Sequence, residues 1–112
     1  MKPIIAVDFD GCLCEDRWPE IGAPNMPVIR RLRRMKVLSG ARLILWTCRS
    51  GEALEKAVKW CEHHGITFDA VNANLPETIA EYGDDPRKIS ATEYWDDRAV
   101  RVFFEGEARH GT

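Results

Sequence analysis

Two short apolar runs limit what this chain can fold into more than any other feature. Ile4-Ile5-Ala6-Val7 and the Leu43-Ile44-Leu45 centre of Arg42–Thr47 are continuously apolar instead of alternating with polar residues. A strand built that way has to hide both faces, as strands do in parallel sheets covered by helices. Ile4–Asp8 and Arg42–Thr47 therefore read as buried strands. Thr67–Val71, Glu93–Trp95 and Val100–Phe104 read as further ones.

Helical periodicity fills the gaps. Pro27–Leu38 places Val28, Leu32 and Met35 at i, i+4 and i+7, with Gly40 as a stop. Glu52–His64 puts Leu54, Ala57, Val58 and Cys61 on one face, with Ser50 as the expected cap and Gly65 just past the end. His63 and His64 in its last turn suit the helix dipole. Pro76–Tyr82 reads as a short third helix. This alternation predicts an α/β fold: a three-layer Rossmann-like domain with a mainly parallel sheet of about five strands and right-handed crossovers. At 112 residues the chain reads as one domain, 1–112.

Composition removes several classes of function. An apolar share of 45% argues against disorder. Sixteen Lys+Arg against eighteen Asp+Glu, a net charge of −2, disfavour a whole-chain grip on nucleic acid or membrane. No apolar run approaches the roughly 18–20 residues of a membrane span. The first apolar stretch ends at Asp8, too soon for a secretory leader. The four cysteines, Cys12, Cys14, Cys48 and Cys61, contain no C-x-x-C pair. They read as small, mostly buried residues in a reducing, cytoplasmic setting.

In a sheet of this kind ligands bind beyond the carboxyl ends of the strands. The first strand ends in Asp8-Phe9-Asp10-Gly11, where alternation puts Asp8 and Asp10 on one side, about 6–7 Å apart. The second ends in Trp46-Thr47-Cys48-Arg49-Ser50, a hydroxyl and a set of N–H groups before a helix N-terminus, where an anion is favoured. The fourth ends in Asp96-Asp97, shortly after Lys88. Four converging acids repel one another unless a cation neutralises them. Mg²⁺, which takes carboxylate oxygens and substrate phosphate, is the natural choice. A phosphoryl group held by that metal, Thr47, the local N–H groups and Lys88 would have its charge balanced, with Asp8 placed for in-line attack and Asp10 for proton transfer. Each element also has an ordinary reading: Asp96-Asp97 as a turn, Thr47 as a helix-start hydroxyl, Lys88 as a solvated charge beside Arg87.

Together these segments resemble the haloacid dehalogenase (HAD) superfamily of phosphotransferases. IIAVDFDGCL matches its first motif, with Cys12 where Thr is usual. LILWT matches the second at Thr47, Lys88 the third and YWDDR the fourth. The resemblance spans residues 4–98. It implies that Asp8 is a nucleophile carrying an aspartyl phosphate and that Asp10 is the general acid and base. Asp at that position favours a phosphatase over an ATPase. It further implies that Thr47 binds the phosphoryl group, with Cys48 and Arg49 beside it, and that Lys88, or its neighbour Arg87, bridges Asp8 and that group. Asp8, the Asp10 carbonyl and one of Asp96 or Asp97, with Asp97 favoured, would hold Mg²⁺. Cys12 is expected to make activity sensitive to oxidation.

Neither the Asp10–Thr47 segment nor the Thr47–Lys88 segment has room for a cap domain, so the chain is similar to small capless HAD-like phosphatases. A flap is expected at about residues 11–25, with Trp18 either stacking on a substrate base or sugar or clamped onto the flap's own prolines. Asn72 and Asn74 read as loop-shaping residues or contacts to a leaving group. The basic residues Arg30, Arg31, Arg33, Arg34 and Lys36 read as a solvated face or a partner of the acidic flap. The expected substrate is a phosphomonoester on a small molecule or an exposed macromolecular phosphate, with a second copy of the chain as a source of a lid. The other readings are a receiver-like phosphoacceptor, whose lysine follows all the acids whereas Lys88 precedes Asp96-Asp97, and a non-catalytic phosphate-binding module.

Overall fold

The computed structural model describes residues 2–106. Its centre is a four-stranded parallel sheet of β1 (Ile4–Val7), β4 (Arg42–Leu45), β5 (Ala70–Val71) and β6 (Glu93–Trp95), in the order β5-β4-β1-β6. Between β1 and β4 the chain forms a small antiparallel hairpin, β2 (Cys14–Arg17) and β3 (Glu20–Pro24), and then helix α1 (Met26–Ser39). Helices α2 (Gly51–His63) and α3 (Pro76–Tyr82) follow β4 and β5. Because β1 has β4 on one side and β6 on the other, the strand order reverses at β1, the switch point where such sheets place ligands.

Alternation along the strands separates two cores. On one face Ile5, Val7, Leu43 and Leu45 pack with Ile29 and Leu32 of α1 and Ala57 and Cys61 of α2. On the other, Ala6 and Ile44 meet Leu75, at the start of α3, and Ile89. The domain thus has three layers, the third being a thin one of loop and short helix. Pro27 in the first turn of α1 and Gly40 after its end, in the left-handed region at φ 64°, bound that helix as expected. Ser50 does flank α2, but its side chain makes no capping hydrogen bond. Among the described residues no helix is long and apolar enough to cross a membrane.

The expected fifth strand does not form. Val100–Phe104 is irregular, and Val100, Val102 and Phe104 are all more than four-fifths exposed. The chain turns at Asp96–Arg98, where the Arg98 N–H donates to Asp96 Oδ1 at 2.9 Å, and leaves the sheet. An alternating apolar sequence has strand propensity, but the path of the chain decides whether it becomes a strand.

Among the described residues no ion pair joins the basic residues of α1 to the flap. Lys36 Nζ donates to the Thr67 carbonyl at 2.7 Å and its hydroxyl at 2.9 Å, and the Arg31 guanidinium lies 4.9 Å from the Trp95 ring centroid. The His64 Nδ1–H donates to the Trp60 carbonyl at 2.9 Å and its ring lies against the Trp60 ring, in keeping with a helix-end role.

The loop before β6 hangs on Asn74, which is almost wholly buried. Its Nδ2 donates to Asp85 Oδ1 at 2.8 Å and to the Pro86 carbonyl at 2.9 Å, and its Oδ1 accepts the Ser90 N–H at 2.7 Å. Asn74→Ala removes three hydrogen bonds at once. Exposed Asp85 keeps the Asn74 N–H, so the loss falls on the Pro86 carbonyl and the Ser90 N–H. It should cost about 2–4 kcal/mol, since a buried group left unsatisfied costs roughly 1–3 kcal/mol before relaxation. Urea denaturation measures this; a variant as stable as the parent would contradict the role.

Candidate active site

Hydrogen bonds along β1 fix where Asp8 emerges. The Asp8 N–H donates to the Trp95 carbonyl at 2.9 Å, and the Val7 carbonyl accepts the Trp46 N–H at 2.9 Å. Asp8 is thereby pinned between the ends of β6 and β4. Phe9, between the two acids, is fully buried and meets Trp60 edge to face with centroids 5.4 Å apart. It anchors the turn in the core, while Asp8 and Asp10 line a cavity of about 500 Å³ at the strand ends. Thr47, Cys48, Arg49, Asp96 and Asp97 line the same cavity.

Gly11 makes room for the acids. Its φ of +83° suits glycine, and a Cβ there would fall 2.8 Å from Asp97 Cγ. One oxygen each of Asp8, Asp96 and Asp97 lies within 4.8 Å of the others. Among the described residues no lysine or arginine forms an ion pair with any of the three. Burial pushes the Asp8 carboxyl from 3.8 up to about 6; the Phe9 N–H, donating to its Oδ1 at 2.8 Å, pulls the other way, and the charges of Asp96, Asp97 and Asp10 add to the rise. An oxygen-only set of acids whose charges oppose one another fits a hard divalent cation.

Asp10 is placed differently. Arg49, expected to contact substrate, turns back and donates Nε to Asp10 Oδ2 and Nη2 to Asp10 Oδ1, both at 2.8 Å. Nη2 also reaches the Glu20 carbonyl at 3.0 Å and Nη1 the Pro19 carbonyl at 3.4 Å. The guanidinium lies 5.1 Å from the Phe9 centroid and 4.9 Å from that of Trp18, and its side chain is only 2% exposed. A single buried cation thus joins the β1 turn, the start of α2 and the tip of the β2–β3 hairpin. Trp18 has this arginine against its ring. At the base of the flap Asn25 Nδ2 donates to the Cys12 carbonyl at 3.0 Å.

Some of the groups expected to hold an anion are already engaged. The Thr47 N–H donates to Asn72 Oδ1 at 2.8 Å, and the Thr47 hydroxyl accepts the Arg49 N–H at 3.1 Å. Asn72, in the left-handed region at φ 50°, is thus a loop-shaping residue that orients Thr47. Lys88 is exposed and is not among the residues lining the cavity. Arg98, Asp16, Trp18 and Trp46 do line it. Arg98 and Trp46 adjoin Asp97 and Thr47 in sequence, so adjacency was the available signal for both; Asp16 had none, because the hairpin register carries it there. The cysteines are free. Burial, followed by the charges of Asp8, Asp96 and Asp97, pushes the Cys12 thiol up to about 12, and burial does the same to Cys61. Cys12 is buried, and a thiol pushed up in this way is held protonated at neutral pH, which lowers its nucleophilicity.

Two expectations follow. Between pH 4 and 6 folded Asp8 holds a proton that the unfolded chain has lost, so this group's contribution to stability falls as pH rises through that window. In metal-free buffer Asp8→Asn should stabilise the fold above pH 6 by about 1 kcal/mol, a two-unit shift discounted for a half-exposed group, with no gain below pH 4. Thermal unfolding across pH tests this, and an equal gain at pH 3.5 would contradict it. Arg49→Met should cost about 2–3 kcal/mol, because Asp10 loses a buried partner but keeps some contact with solvent. It should also speed amide exchange in residues 14–24; unchanged exchange there would refute the tether.

No protein-family model matches the chain, and no curated protein matches it. A solved structure of a conserved protein from Bacteroides thetaiotaomicron superposes with a TM-score of 0.79 at 39% identity, covering 89% of this chain and 79% of that one. At that identity and coverage, this chain belongs to the same family as the conserved Bacteroides protein.

Proposed function

We propose that the chain is a HAD-like, Mg²⁺-dependent phosphatase that hydrolyses a phosphomonoester through an aspartyl phosphate on Asp8. The observation that carries this reading is the gathering of Asp8, Asp96 and Asp97 around one point, beside Asp10 and Thr47, at the switch point of a parallel sheet. Asp8, Asp96 and Asp97 would hold Mg²⁺, which when bound would offset their charge and that of the incoming phosphate.

In this reading an Asp8 oxygen attacks phosphorus while the bond from phosphorus to the leaving oxygen breaks. The Phe9 N–H holds Asp8 Oδ1, which orients the carboxylate for attack. The Thr47 hydroxyl, kept at the cavity by the Asn72 contact to its backbone, binds the phosphoryl oxygens. Asp10 gives a proton to the leaving oxygen and then takes one from the water that releases phosphate. Both Asp10 oxygens now accept from Arg49, so at least one of those bonds has to give way for Asp10 to act. The cations that line the cavity are Arg49 and Arg98, and the reading draws on these in place of Lys88. Free, largely buried cysteines accord with a reducing cytoplasm.

A generic aryl phosphate assay tests the proposal. The parent should hydrolyse it only with Mg²⁺, Asp8→Asn should lose at least a thousandfold in kcat, and Asp10→Asn should accumulate a phosphorylated chain. Activity in Asp8→Asn equal to the parent's would sink the assignment, and a stable phosphoryl group on the parent without turnover would favour a receiver-like phosphoacceptor.

A further inference from the structure

Two tryptophans wall the cavity above the acids, and no step described so far uses them. Trp46 is 39% exposed and Trp18 is 59% exposed, large apolar rings left in reach of solvent at the mouth of a site. Neither is a loose loop side chain. Trp18 has the Arg49 guanidinium against its ring, and Arg49 is itself fixed by Asp10 and the Glu20 carbonyl. Trp46 leans on Tyr94 with centroids 5.8 Å apart, while the Tyr94 hydroxyl donates to the Ile89 carbonyl. The Trp46 backbone is held by β1. Rings braced in this way meet little further ordering cost when a flat ligand stacks on them.

The rim adds polar groups of both kinds. Asp16, whose Oδ1 accepts the Trp18 N–H at 3.3 Å, offers carboxylate acceptors, and Arg98 offers donors. At about 500 Å³ the cavity exceeds what a phosphoryl group alone requires. We propose that this space takes the base of a nucleotide, so that the phosphomonoester acted on is a nucleoside monophosphate. The fate of the phosphate rests on the phosphatase reading above; the ring site does not. A base edge carries both N–H donors and ring or carbonyl acceptors, the complement of Asp16 and Arg98, whereas a plain aryl group uses neither. The five carboxylates at the cavity set against two arginines repel a run of phosphates, so the occupant is a single nucleotide and not a nucleic-acid strand.

The test uses Asp8→Asn protein, in which ligand stays intact, titrated by calorimetry in Mg²⁺ with adenosine monophosphate, ribose 5-phosphate and phenyl phosphate. Adenosine monophosphate should bind at least about tenfold tighter than either of the others, the scale of one base–aromatic stack. Adding Trp46→Ala should remove most of that preference, and Trp46→Phe should restore it. Trp18→Ala should weaken it independently. Equal affinity for adenosine monophosphate and ribose 5-phosphate would overturn the proposal, as would a preference surviving both alanine variants. Phenyl phosphate binding as tightly as the nucleotide would overturn the choice of a base. Nucleotide bound by the parent but never hydrolysed would defeat the phosphatase reading and uphold the ring site; hydrolysis of all three phosphates without preference would do the reverse.

Discussion

The structure depends on a repulsion that the fold does not relieve. One oxygen each of Asp8, Asp96 and Asp97 comes within 4.8 Å of the others because β1 ends one residue before Asp8, β6 ends one residue before Asp96, and Gly11 has no side chain to keep Asp97 away. Proteins seldom crowd like charges in this way, because the group has to give up solvation as well as face its neighbours. The rise in the Asp8 carboxyl is the direct sign of that cost. A divalent cation would turn the same crowding into a binding site.

Asp10, two residues away, meets the opposite treatment. Its charge is answered by Arg49 with two hydrogen bonds, and the remaining Arg49 donors reach the hairpin. The site therefore has two electrostatic compartments, one without an ion pair among the described residues and one closed by an internal cation. The hairpin is attached to the second. Entry of an anion that competes for Arg49 would act on Asp10 and on the hairpin together, because a single guanidinium serves both.

Much of this was legible in the sequence. Continuous apolar runs such as Ile4–Val7 have few structural solutions, and an Asp-x-Asp-Gly immediately after one places its acids at a strand end almost by geometry alone. The helices could be read from periodicity and from Gly40 and Gly65 beyond their ends. Partnerships across the fold were less accessible. The destination of Arg49 depends on the β2–β3 register, which delivers the Glu20 carbonyl to it, and no local pattern encodes that. Lys88 sits in a loop whose course is set by Asn74 reaching Asp85 and Ser90, contacts that are invisible until the chain is folded. Val100–Phe104 differs for a related reason: strand propensity is local, whereas the turn at Asp96–Arg98 sends the chain away from the sheet.

The proposed chemistry requires the three clustered acids to act together as a cation site. Isothermal titration of Mg²⁺ into the parent and into Asp97→Asn tests it most directly, with circular dichroism confirming that both are folded. One Mg²⁺ should bind per chain of the parent, with at least a tenfold weaker affinity in the variant. Equal affinity in the two proteins, or no Mg²⁺ binding by the parent, would contradict it.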